Sequence, residues 1–357
     1  MTFTITEDAR AVLLPAFDGT LLSDATKRFL DGGGISLLLG ESRDEYLARR
    51  MSDSRRNSET AETLQRVTDA ARARSGMLLA AVDQEMGGTC RLHDLVPQFP
   101  ALRDLPFASE EEIAEISKLI ATGASSMGIN VFLSPVVDVL TGPNKWLEGR
   151  TWSNNAELVA TLSAAYIRGV QSGRVAATAK HFPGYSTTTG DPAVDENAIN
   201  PLALSDVEAG LAPFRAAIAA GVEMIMVGPA IVMAYDHAKA ALRSQTVVQV
   251  LKKTLGFDGI VMADDLDSMA TMRGDSVAAV AIDALNAGCD FLLLADTGTQ
   301  LDEIADAIET AARSETISAE ALAKSATKVR RLSRKYEAQS CHSAEGKCDQ
   351  RVAGSAS

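Results

Sequence analysis

A chain of 357 residues with 46% apolar and only 5% aromatic content can bury a large, aliphatic core. Its length allows one large domain or two ordinary ones, since α/β barrels often exceed ~150 residues. The net charge of −13, with lysine and arginine dispersed, excludes nucleic acid and anionic membrane as expected partners, because both select a basic patch.

No run of ~18 apolar residues is present, so a membrane span is not expected. The opening segment MTFTITEDARAVLLPAF lacks the basic stretch of a secretory signal. Of the four cysteines, Cys90, Cys289, Cys341 and Cys348, only the last two are spaced so that pairing can be considered, and nothing requires it. A reduced, cytoplasmic setting is expected. No His/Cys/Asp spacing matches a metal ligand set. The glycines at 32–34 precede a strand, whereas phosphate loops precede a helix. Neither metal nor cofactor is therefore expected.

Short apolar runs recur in chain order: 12–16, 35–39, 77–83, 129–138, 175–182, 223–228, 259–264 and 290–296. Each is bounded by Gly, Asp or Pro and shows little polar alternation, which predicts parallel strands buried on both faces. Alanine- and glutamate-rich segments with helical spacing separate them, and Ser58, Ser109, Ser205 and Ser244 stand where N-caps are expected. Eight such units over roughly 300 residues predict a single-domain α/β fold, a (β/α)₈ TIM-type barrel spanning residues 1–337. After Tyr336 the periodicity fades, predicting a disordered tail over 338–357.

Polar residues collect at the strand ends, where barrel enzymes build their sites. The third run leads into Asp83-Gln84-Glu85 and then Arg91. The fourth ends at Asp138 and is followed by a loop holding Arg150 and Trp152. The fifth ends at Lys180-His181, and the seventh at Asp264-Asp265. Taken singly, each has a plain structural reading: Asp83 as a helix cap, Lys180 as an ion-pair partner, Arg150 as solvated, His181 as a core histidine. Taken jointly, Asp83, Arg91, Arg150, Lys180, His181 and Asp264 surround one mouth. That mixture suits a densely hydroxylated ligand, since each hydroxyl asks for a donor and an acceptor and charge-assisted hydrogen bonds are the stronger ones.

DQEMGGTCR (83–91), the Arg-Thr-Trp of EGRTW (148–152), KHFPG (180–184) and GFDGIVMADDLDSM (256–269) resemble the bacterial β-N-acetylglucosaminidases of glycoside hydrolase family 3. GGGISLLL (32–39) and LAPFRAAIAAGVEMIMVG (211–228) resemble that family's barrel framework, so the match runs in order over most of residues 10–335. The resemblance implies a single-barrel, retaining glycosidase that takes a small-molecule sugar or glycoside. It assigns sugar hydroxyl contacts to Asp83, Arg91, Arg150, Lys180 and His181, and the nucleophile to Asp264 rather than Asp265.

The chain departs from the family on the loop after KHFPG, which the family usually writes KHFPGHGDTTTDSH and uses for an Asp-His acid/base pair. Aligned without gaps, Asp-Ser-His falls on Asp191-Pro192-Ala193; with a four-residue insertion it falls on Asp195-Glu196-Asn197. Neither contains a histidine. The family's histidine after KHFPG is Tyr185 here, and the one after strand six is Pro229. Asp191, Asp195, Glu196 and His237 are then the replacement proton donors within reach by sequence. Three outcomes follow: a glycosidase with a substituted acid/base, a sugar-binding protein without turnover, or a barrel enzyme in which Lys180 forms a Schiff base with a carbonyl substrate. Sugar identity is expected to depend on Trp146, Trp152 and Tyr185.

Overall fold

The computed structural model describes residues 3–295 and 300–348, with the side chains of Arg43 and of residues 338–348 outside the description. Eight parallel strands close on themselves: β1 Leu13–Phe17, β2 Ser36–Leu39, β3 Leu79–Val82, β4 Val131–Phe132, β5 Ala176–Phe182, β6 Met224–Val227, β7 Ile260–Ala263 and β8 Phe291–Leu294. Neighbours in sequence are neighbours in the barrel, and β1 pairs with β8 through Leu13↔Leu292. The eight predicted runs are these strands. Residues of β2, β3, β6, β7 and β8 are buried without interruption, as expected for strands covered by helices outside and side chains within. The fold is a (β/α)₈ barrel.

β4 is far shorter than the run 129–138 from which it was predicted. Pro135 has no N–H to give to a ladder, so regular pairing lapses. Residues 133–138 still follow β5, with Val137 N donating to Lys180 O (2.8 Å) and Lys180 N donating to Pro135 O (3.0 Å).

Helix starts follow local chemistry. Ser109 caps Glu110–Ser126 in a reciprocal capping box with Glu112, and Ser244 caps Gln245–Gln249, as predicted. Ser58 and Ser205 do not cap. Ser58 ends the helix Asp53–Ser58 and its hydroxyl bonds back to Ser54 O, while Thr60 caps Ala61–Ser75. Ser205 lies inside Leu204–Ala209, whose cap is Ala203.

The last helix, Ala319–Cys348, closes the bottom of the barrel. Lys328 donates to Gly259 O and to Asp290 Oδ2 (both 2.9 Å), just before β7 and β8, and Arg330 pairs with Asp8 of the first helix. The backbone of this helix is described as far as Cys348. Residues 349–357 and the side chains of Cys341 and Cys348 lie outside the described residues. No described helix is long and apolar enough to cross a membrane.

Candidate active site

The strand-end polar residues meet at the C-terminal face, around a small cavity that opens to solvent. Its lining includes Tyr46, Asp83, Trp146, Arg150, Lys180, His181, Asp264, Asp265 and Ser268.

After β3 the chain folds back sharply, with Glu85 N donating to Thr89 O and Arg91 N to Asp83 O (both 2.8 Å). The glycine pair makes room. Gly87 has φ 97°, and a Cβ on Gly88 would meet Glu85 Oε2 at 1.7 Å. Glu85 can therefore point inward and take Arg150 in a two-pronged pair (Nη2–Oε1 2.7 Å, Nε–Oε2 3.0 Å). Lys180 bridges Glu85 and Asp83 at 2.7 Å each.

These charges set one another's ionisation. Burial opposes the charged form of Glu85, but Arg150 and Lys180 outweigh it and hold its carboxyl far below the usual range. Burial likewise opposes the Lys180 ammonium, and Asp83 and Glu85 reverse the balance and hold it above its ordinary value. A lysine clamped in its charged form is poorly suited to attack a carbonyl, which removes the support for a Schiff-base enzyme. Asp83 shares its lysine with Glu85, so burial prevails there and its carboxyl is pushed up.

At the end of β5 the register with β6 shifts between Ala179 and Phe182, the kind of irregularity that re-aims side chains. Consecutive Lys180 and His181 both line the cavity. Asp138 Oδ2 accepts from the His181 backbone N–H (2.9 Å) and lies 2.8 Å from Nδ1, while Oδ1 accepts from Tyr185 N–H (2.7 Å). With Nδ1 held by Asp138, Nε2 faces Asp264 Oδ2 at 3.9 Å. The His181 ring also packs on Trp146, centroids 4.4 Å apart. Asp264 is 7% exposed, and its Oδ1 accepts from Asp265 N–H (2.8 Å).

Five of the expected side chains thus share the cavity: Asp83, Arg150, Lys180, His181 and Asp264. Arg91 does not. It is buried against Glu59 in a bidentate pair (2.6 and 2.8 Å) and donates through Nε to Gly40 O (2.7 Å). Asp191 and Asp195 do not line the cavity either. Their Oδ1 atoms accept from the N–H two residues on, at Ala193 (3.0 Å) and Asn197 (2.9 Å), shaping turns of the loop. Glu196 and His237 are exposed outside the lining. The loop instead presents Pro192 and Ala193, held by Ala270 N donating to Pro192 O (3.0 Å).

Of the aromatic residues tied to sugar identity, only Trp146 lines the cavity. Trp152 is buried with Nε1 donating to Met86 O (2.9 Å). Tyr185 is fully buried, its hydroxyl donating to Ala230 O (3.0 Å), and a Cβ on Gly228 would meet its ring at 2.2 Å.

Three contributors were not singled out from sequence. Asp138 and Glu85 were visible at strand ends, but their partners come from other strands. Glu41 follows β2, where no motif marks it. Its Oε2 is buried without a partner, and burial, then the Asp83 charge, pushes its carboxyl up to about 8. The folded protein therefore keeps a proton that the unfolded chain releases near 4.5, so stability falls as pH rises from there through about 8. Glu41→Gln is expected to leave the melting temperature unchanged near pH 4 and to raise stability by about 1–3 kcal/mol at pH 9, the scale of an unsatisfied buried group. Denaturation curves with equal gains at both pH values would contradict this.

An eight-stranded parallel barrel with its polar cluster at the strand C-termini has the layout of the barrel enzymes. Residues 43–332 match the glycosyl hydrolase family 3 N-terminal domain. A β-hexosaminidase of Stenotrophomonas maltophilia is 34% identical over 224 residues, 60% of this chain and 66% of that protein, just under two thirds of its length. A β-hexosaminidase of Nitrosomonas eutropha is 32% identical over 263 residues, 71% of this chain and 75% of that protein. The solved glycoside hydrolase family 3 β-N-acetylglucosaminidase of Paenibacillus sp. superposes with a TM-score of 0.85 at 26% identity, covering 94% of this chain and 63% of that one. The chain belongs to glycosyl hydrolase family 3.

Proposed function

We propose that this protein is a retaining glycosidase acting on β-linked N-acetylglucosaminides or related glycosides, with Asp264 as nucleophile and an acid/base unlike the family's loop histidine. The observation that carries the reading is the position of Asp264 at the end of β7, in one cavity with Asp83, Arg150, Lys180 and His181. A retaining enzyme attacks the anomeric carbon with an ionised carboxylate and forms a covalent glycosyl-enzyme. Asp83, Lys180, Arg150 and His181 bind the sugar hydroxyls, and the rigid Asp138 contact fixes which imidazole nitrogen is presented. The substrate preference rests on the β-hexosaminidase relatives. A cytoplasmic setting is supported by the free thiols of Cys90 and Cys289.

The test is turnover of aryl β-N-acetylglucosaminides and β-glucosides bearing good leaving groups. General acid–base help contributes ~10²–10⁴-fold, so an atypical donor leaves activated substrates the more reactive ones. A second reading, sugar binding without turnover, is favoured by the Ala193 methyl group in the cavity wall. Calorimetric binding of N-acetylglucosamine or glucose, with no turnover of any activated glycoside, selects it over the first.

A further inference from the structure

Among the described residues, the loop that covers the cavity contributes only Pro192 and Ala193 to its wall, so the described groups able to give a proton to the leaving group stand at the strand ends and their other loops. Besides Asp264, the cavity presents Tyr46, Asp83, Lys180, His181 and Asp265 as groups able to carry one. Four of these are engaged. Lys180 is fixed between Asp83 and Glu85, and Asp83 is thereby its partner. His181 is 2% exposed, tied to Asp138 and stacked on Trp146. The Tyr46 hydroxyl accepts from Arg150 Nη1 at 3.4 Å. Asp265 differs. It is less buried than Asp264, it lines the cavity next to Asp264 in the chain, and among the described residues no lysine or arginine is paired with it.

We infer that Asp265 is the acid/base that replaces the loop histidine, donating the proton to the leaving oxygen within the cavity it shares with Asp264. The inference rests on the glycosidase reading above. Burial, and next the Asp264 charge beside it, hold the Asp265 carboxyl well above the ordinary carboxylate range, with Asp267 and Asp83 adding to the effect. A carboxyl that holds its proton more tightly than an ordinary carboxyl, beside an attacking carboxylate, is what general acid catalysis asks for. In the first step Asp264 attacks the anomeric carbon and the glycosidic C–O bond breaks. Its electron pair goes to the leaving oxygen, which takes the Asp265 proton and departs as an alcohol. In the second step the Asp265 carboxylate takes a proton from water. The oxygen of that water bonds to the anomeric carbon, the ester to Asp264 breaks, and both carboxyl groups return to their starting state.

The experiment compares wild type, Asp265→Asn and Asp265→Ala on two substrates of one sugar, a 2,4-dinitrophenyl glycoside that needs no proton and an alkyl glycoside that does. Asp265→Asn is expected to lose ~10²–10⁴-fold on the alkyl glycoside and far less on the activated one. Its kcat/KM on the alkyl glycoside should also lose the basic limb of the pH profile. For Asp265→Ala, added azide should restore turnover of the activated glycoside and yield a β-glycosyl azide, a rescue that only folded protein can give. Equal losses on both substrates, or Asp265→Ala that azide does not accelerate, overturn the assignment while leaving the glycosidase reading intact. No turnover of either glycoside by the wild type overturns both.

Discussion

Asp264→Asn is expected to abolish turnover of an activated aryl β-N-acetylglucosaminide, by roughly 10⁴-fold or more, the scale seen when a covalent nucleophile is removed. The substitution is nearly isosteric. The carbonyl oxygen of the new amide can still accept from Asp265 N–H, as Asp264 Oδ1 does at 2.8 Å, and the backbone N–H of the position keeps its bond to Val227 O at 3.1 Å. The fold and the hydroxyl contacts should therefore survive, and sugar affinity measured by calorimetry should change little. What is lost is the anionic oxygen that forms the ester. Turnover persisting in Asp264→Asn would remove this residue from the nucleophile role, and loss of both turnover and folding would show that the residue is structural.

The second large effect is on stability. Arg91→Met is expected to cost about 3–5 kcal/mol in denaturant unfolding, because it leaves the Glu59 carboxylate buried with its bidentate partner gone. Glu59 shows the strength of the present pairing: burial raises its carboxyl, but the hydrogen bonds from Arg91, then His93, carry it down to about 2. A carboxyl depressed in the folded state stabilises fully above its unfolded value of 4.5, and that contribution is lost as pH falls from there through about 2. Arg91→Met should thus be weakened most at neutral pH and approach wild type in strong acid. An Arg91 that instead gripped the sugar would give the opposite pattern, with unchanged unfolding and weakened binding.

Most of the barrel was legible because its strands are buried on both faces, which leaves short apolar runs that helices of ordinary length cannot imitate. β4 was overextended because a pattern of apolar residues does not register the missing N–H of Pro135. The site was legible to the depth of strand ends. Asp83, Lys180, His181 and Asp264 could be placed around one mouth because a parallel barrel delivers every strand's C-terminus to the same face. Which charge pairs with which could not be read. Arg91 lies eight residues beyond Asp83, yet its partner Glu59 belongs to the end of a helix before β3. Asp138 was seen at a strand end but its grip on His181 depends on β4 and β5 being neighbours. On the covering loop, Asp191 and Asp195 were weighed by where the family's Asp-Ser-His falls on this sequence. Both stand two residues before an N–H they accept from, a spacing that marks Asp-headed turns and carries these carboxylates away from the cavity.

Covalent trapping with an activated 2-deoxy-2-fluoro glycoside, followed by mass spectrometry of the digested protein, identifies the nucleophile without relying on rates. Fluorine at that position slows both steps, and a good leaving group lets the first proceed, so the ester accumulates. The expected result is one sugar per chain, carried by Asp264. A label on Asp265 or elsewhere, or turnover through an inverted product with no label at all, would contradict a retaining mechanism built on Asp264.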